Sequence, residues 1–253
     1  MNQDIKPATL KIFTLAAALL GLLLRFLLYA TAVDYKGLIA DGHWATFGLT
    51  GLTLLLLAAL VLLTRNPTAE MGYEDSFTPS LLRGLGSLAA AGGLLLQSVQ
   101  RLGMTERLER IGLIFGITAG IGLIVAGICR FLGKKPPFLC HSVLSIYFAL
   151  RTVGLYRSWS SDPQLMDYAF YLLALICLML SAYFLAQFHV EPKSHRPLWI
   201  SAMAAVFFCL VAVPESGDAL FLLTMALWAF TCTPQMELKV RRQRPAMEMD
   251  EEA

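Results

Sequence analysis

Charge is scarce in this chain. Lys, Arg, Asp and Glu make up only 15% of its 253 residues, where a soluble domain of that length carries roughly a quarter. The shortfall is gathered into long uncharged stretches, and the mean hydropathy is +0.64. A water-soluble globular domain is therefore excluded. The net charge of +2 is too small for a nucleic-acid partner, and no basic face with interleaved aromatics occurs. The five cysteines, Cys129, Cys140, Cys177, Cys209 and Cys232, all lie within or at the ends of apolar runs. Without a CxxC pair they imply neither a disulfide framework nor zinc, and they read as small buried hydrophobes.

Catalytic signatures are missing as well. Gly86-Ser87 lacks the glycine-serine-glycine setting of a nucleophile elbow. Asp167 and Asp218 sit at the ends of apolar runs and outside a Gly-x-Gly-Asp context, which argues against an aspartyl dyad. His189, Glu191 and His195 fall on a proline-containing loop with no fixed face for a metal. No loop is built to cradle a phosphate. No cofactor and no metal are implied, and an enzyme ranks behind a transporter or a scaffold.

What the chain does have is apolar length. A bilayer core of ~30 Å needs about 20 apolar residues per helix, and eight such spans can be marked: 10–32, 44–64, 80–99, 110–132, 137–157, 167–188, 198–213 and 219–233. The expected fold is an all-α polytopic bundle, one transmembrane domain over 1–238. A basic and then acidic tail follows at 239–253, its basic part suited to anionic cytoplasmic headgroups. The last two spans are short, ~23 Å at the helical rise. Pro214-Glu215-Ser216-Gly217-Asp218 between them predicts a tight hairpin. One helix bent at Pro214, giving seven spans, is the rival; Glu215 and Asp218 at membrane depth would make it expensive. Lys6, Lys11, the run Ile12–Leu24 and Ala30-Thr31-Ala32 resemble a cleavable signal. Arg25 interrupts that pattern and the apolar run resumes at Phe26–Ala30, so an uncleaved first helix is expected. With eight spans and both termini cytoplasmic, 13 basic residues fall inside and 5 outside, the bias the positive-inside rule requires. The link 101–110 runs against it. The pattern resembles multi-pass proteins of the bacterial inner membrane.

Gly112, Gly116 and Gly120 recur every fourth residue and share one helix face. Small faces let helices approach closely in lipid, either within the bundle or as the seam of a homodimer or of a contact with another membrane protein. A weak duplication, 1–133 against 134–238, is also open: Arg25 precedes Asp41 by sixteen residues, as Arg151 precedes Asp167.

Arg25 and Arg151 carry the sharpest signal. Each lies roughly 9 Å inside the predicted outer end of its helix, deep enough either to snorkel outward or to pair with acids inside the bundle. Asp34, Asp41, Asp162, Asp167, Glu215 and Asp218 are the acids expected on that side, with His43, Trp44, Tyr156 and Trp159 nearby. Together they suggest an acidic, aromatic vestibule for a cation or a polyhydroxylated solute, although the aromatics equally suit an interfacial belt. On the fifth span His141, Ser145, Tyr147 and Arg151 point to a hydrogen-bonded helix contact ahead of a proton relay. The first functional expectation is thus a small-solute transporter or solute-sensing component. The second is a non-catalytic scaffold or subunit.

Overall fold

The computed structural model describes residues 7–32, 43–64, 73, 77, 80–101, 107–159, 169–192, 194–214 and 217–234. Among them there are eight α-helices and no strand. They are α1 (Pro7–Ala32), α2 (Trp44–Leu63), α3 (Leu81–Gln100), α4 (Arg107–Phe131), α5 (Phe138–Trp159), α6 (Ala169–Gln187), α7 (Arg196–Val211) and α8 (Ala219–Thr231). Every expected span has its helix, with ends shifted by a few residues. The segment 212–218 separates α7 from α8, so Pro214 divides two helices that pack on each other and does not bend one. The tail 239–253 lies outside the described residues.

Five helices, α1, α2, α4, α5 and α6, are long and apolar enough to cross a membrane. Large side chains on the outside are apolar: Phe47 is 70% exposed, Ile12 68% and Leu54 64%. In water such an exterior would drive aggregation; facing hydrocarbon it is the favoured surface. These are the features of a membrane-embedded protein.

Six helices close a ring. α3 packs on α4, α4 on α5, α5 on α6, α6 on α7, α7 on α8, and α8 returns to α3. α1 and α2 form a hairpin outside this ring, resting on α7. Helix α7 is consequently buried nearly all round, Trp199, Phe207 and Phe208 included. Successive helices run in opposite directions. Lys11 at the start of α1 lies over Trp199 near the start of α7 and Phe230 at the end of α8, and Arg196 donates to the Val61 carbonyl at the end of α2.

Without hydrophobic exclusion between helices, close approach must supply the packing energy, and glycine permits it. A Cβ on Gly93 or Gly86 would collide with Thr224 or Thr231 of α8, and one on Gly84 would come within 2.7 Å of Phe131 on α4. Gly116 faces Ser98 and Tyr147, and Gly120 faces Leu95. The α4 glycine face is therefore used at two of its three positions for packing inside this chain, while Gly112 opens onto free space. Helix hydroxyls return to their own backbone, as in Thr14 to Leu10 O (2.9 Å) and Ser98 to Leu94 O (2.8 Å). These hydroxyl protons are thereby satisfied within their own helices.

Candidate functional site

The end of the ring where α3 finishes and α8 begins gathers polar groups from four segments. Asp218 precedes α8 at its N-cap position, yet its side chain makes no capping bond. It turns into the bundle instead. Oδ2 accepts from Arg151 Nη2 of α5 at 2.6 Å, from the Tyr171 hydroxyl of α6 at 3.0 Å and from Arg101 Nη2 after α3 at 3.4 Å. Arg151 also donates to the Tyr171 oxygen, so the three groups close a triangle. Tyr147, one turn before Arg151, donates to Gln97 Oε1 of α3 at 3.1 Å.

Two elements fix this geometry. Positions 147 and 151 share a face of α5 that points into the ring, where both side chains are buried. The α7–α8 turn then delivers a carboxylate to the guanidinium. Arg151 is almost fully enclosed, while the Asp218 side chain keeps 22% of its surface. Burial by itself would raise the Asp218 carboxyl. Arg151, with Gln97, Arg101 and Tyr171, outweighs it and holds the group below the ordinary carboxylate range.

Beside this network, between α3, α4 and α5, opens a cavity of about 70 Å³. Ser98, Arg101, Glu109, Tyr147, Arg151 and Ser158 supply its polar lining, and Gly112, Leu113, Leu150, Gly154 and Leu155 the remainder. One water needs at least ~10–15 Å³, so the space admits a solute of roughly five heavy atoms. Its available donors are the guanidinium N–H groups of Arg101 and Arg151, suited to acceptor oxygens. The hydroxyls of Ser98, Tyr147 and Ser158 already donate to Leu94 O, Gln97 Oε1 and Leu155 O, and with Glu109 they can only accept.

Of the residues singled out by sequence, the structure brings Arg151 and Asp218 into direct contact. Arg25 is buried on α1, 3% exposed, and its guanidinium lies over Tyr29 (5.1 Å) and over Phe170 of α6 (5.2 Å). Both arginines point inward, neither snorkels, and they meet successive residues of α6. Trp44 is 60% exposed at the start of α2, beside His43, whose Nδ1 accepts from the Ala45 amide. Tyr156 is exposed on α5, and Trp159 sets its edge against Tyr171, centroids 5.8 Å apart. None of these four lines the cavity. Asp34, Asp41, Asp162, Asp167 and Glu215 lie outside the described residues. Ser145 reaches the Met179 carbonyl of α6 at 3.2 Å, so the polar face of α5 is a helix contact as expected.

Gln97, Arg101 and Tyr171 were not anticipated. A readable signal existed for Gln97, a lone amide within an apolar helix, since such residues in spans rarely lack a partner. Among the described residues no group of His, Cys, Asp and Glu is arranged to hold a metal ion. Comparison with protein-family models finds no match, and comparisons with the curated proteins and with solved structures find none either.

Proposed function

We propose that the chain is a multi-pass protein of the cytoplasmic membrane that binds a small oxygen-rich solute, a short carboxylate or polyol, as a transporter or solute-sensing component. The observation that carries this reading is the cavity between α3, α4 and α5, with Arg101, Arg151 and three hydroxyls on its wall. Arg151, positioned by Asp218 and Tyr171, would present a preset guanidinium face. Arg101, at the rim with 29% of its side chain exposed, would close on the solute. The excess of basic residues expected in the connectors on the opposite side supports an outward-facing cavity. Against the expected acidic and aromatic vestibule, this lining sets two guanidinium groups against the single carboxylate of Glu109, which moves the favoured solute from a cation toward acceptor oxygens. The scaffold alternative draws less support, since Gly116 and Gly120 are covered by α3 and α5 of the same chain.

Titration of the purified protein in detergent with short carboxylates and polyols tests the reading. A saturable rise in melting temperature is expected for at least one of them. Arg101→Gln should weaken that binding about ten-fold, the loss of one charge-assisted bond, while lowering the unliganded melting temperature only slightly, because its 3.4 Å pair with Asp218 is partly exposed. Counterflow in proteoliposomes then separates transport from binding alone. If no compound in the panel stabilises the protein, or Arg101→Gln binds as well as wild type, the cavity is not a solute site.

A further inference from the structure

The opposite end of the ring, where α4 ends and α5 begins, holds a second polar cluster with a different balance. Arg130 of α4 is 6% exposed. Its Nη1 donates to Ser87 Oγ at 2.6 Å and to Cys232 Sγ at 3.0 Å, and its Nη2 lies 3.4 Å from His141 Nε2. A guanidinium has donors only, so His141 Nε2 must be the acceptor and the ring proton is assigned to Nδ1. His141 stacks on His189 with centroids 5.2 Å apart, and His189 on Tyr73 at 4.2 Å. The Tyr73 hydroxyl comes back beside Arg130. Exposed Lys135 covers the stack: its Nζ lies 5.9 Å from the centre of the Tyr73 ring and donates to the His189 carbonyl at 3.2 Å. The cluster thus has a floor, Arg130 and His141, and a rim, Lys135, His189 and Tyr73.

Its donors outnumber its acceptors. Among the described residues Arg130 Nε, His141 Nδ1 and both ring nitrogens of His189 are buried with no hydrogen-bond partner. Among the described residues no Asp or Glu contacts Arg130, whose charge is met only by a hydroxyl, a thiol, a phenol and an imidazole. Buried donors and buried charge are both costly when uncompensated, and here they occur in one place. What complements them is an anion rich in acceptor oxygens.

We propose that this cluster is a binding site for a phosphate group, seated on Arg130, His141 and Tyr73 and closed by Lys135 and His189. Phosphate fits better than carboxylate because three or four acceptor oxygens match the number of donors. A phospholipid headgroup and free phosphate share this chemistry, and the end of a membrane bundle is within reach of both.

Two probes distinguish them: inorganic phosphate titrated against the full-length protein in neutral detergent, with chloride at equal ionic strength as control, and nanodiscs of phosphatidylglycerol against phosphatidylcholine. Lys135→Ala and Tyr73→Phe are the variants, the first at an exposed side chain and the second removing one oxygen. Stabilisation by inorganic phosphate, weakened about five-fold or more in both variants, assigns the site to free phosphate. Selective retention of phosphatidylglycerol in native mass spectrometry, lost in the variants and without a response to inorganic phosphate, assigns it to a headgroup. The proposal is overturned if neither probe binds selectively, or if both variants bind as wild type. Because this site and the α3–α4–α5 cavity lie at opposite ends, failure of one leaves the other standing.

Discussion

Arg151 shows why a single charge in this protein must be judged by its partners. Enclosed in the ring, its guanidinium is tolerable only because Asp218 and Tyr171 accept from it. Removing one member of such a pair strands the other, at 3–5 kcal/mol when both are fully buried. The residual exposure of Asp218 lowers that, so Asp218→Asn is expected to cost about 2 kcal/mol, read as a lower melting temperature in detergent. The carboxyl is held below its ordinary range in the fold. Its contribution is therefore present above the unfolded pKa and is lost as pH falls through the folded one. In Asp218→Asn this most acidic part of the stability profile should flatten. His189 answers at milder pH. Burial, with Lys135 and Arg130 nearby, pushes its imidazole down to about 4. Between about 6.5, the ordinary value, and about 4 the unfolded chain takes up a proton that the folded chain refuses, so stability is lost as pH falls across that window. His189→Gln should make this slope shallower by one proton, with His195, which burial also pushes down, keeping its share; an unchanged slope would assign the window to other groups.

Packing of α3 on α8 depends on atoms that α3 does not have. Gly93 sits where a methyl would strike Thr224, whereas nothing lies within 4 Å of the Cβ position of neighbouring Gly92. Gly93→Ala is accordingly expected to destabilise by about 1–3 kcal/mol, the usual cost of overpacking. Gly92→Ala should be neutral or stabilise by up to ~1 kcal/mol through helix propensity. Equal melting temperatures for the two variants would show that α8 withdraws at no cost, and that the glycines are not what sets the α3–α8 distance.

For the molecule as a whole the sharpest prediction is topological. Alternating helix directions put the α4–α5 connector, with Lys134 and Lys135, at one end and Ser158, at the close of α5, at the other. If the excess of basic residues marks the cytoplasmic side, Ser158→Cys in a cysteine-free background is labelled in intact cells by a membrane-impermeant thiol reagent, and Lys134→Cys only after lysis. The reverse pattern would invert the molecule and turn the α3–α4–α5 cavity toward the cytoplasm.

Helix number, approximate boundaries and the break at Pro214 were legible in the residues, because each depends on local properties: about twenty apolar side chains in a row, ended by proline, glycine or charge. The depth of Arg25 and Arg151 was legible for the same reason, since depth is a count of residues along one helix. Partnership was not. Arg151 pairs with Asp218, 67 residues away, and Arg25 lies over Phe170 of α6, contacts that spacing along the chain does not announce. Ring closure decides the first of them by placing α8 beside α3 and α6. The phosphate-type cluster is a stronger case. Tyr73, Arg130, His141, His189 and Cys232 come from five separate segments, and no spacing rule joins them. Local chemistry dictates which stretches become helices in lipid; which side chains then share a site depends on how close glycine allows those helices to come, and that is a property of the assembled ring.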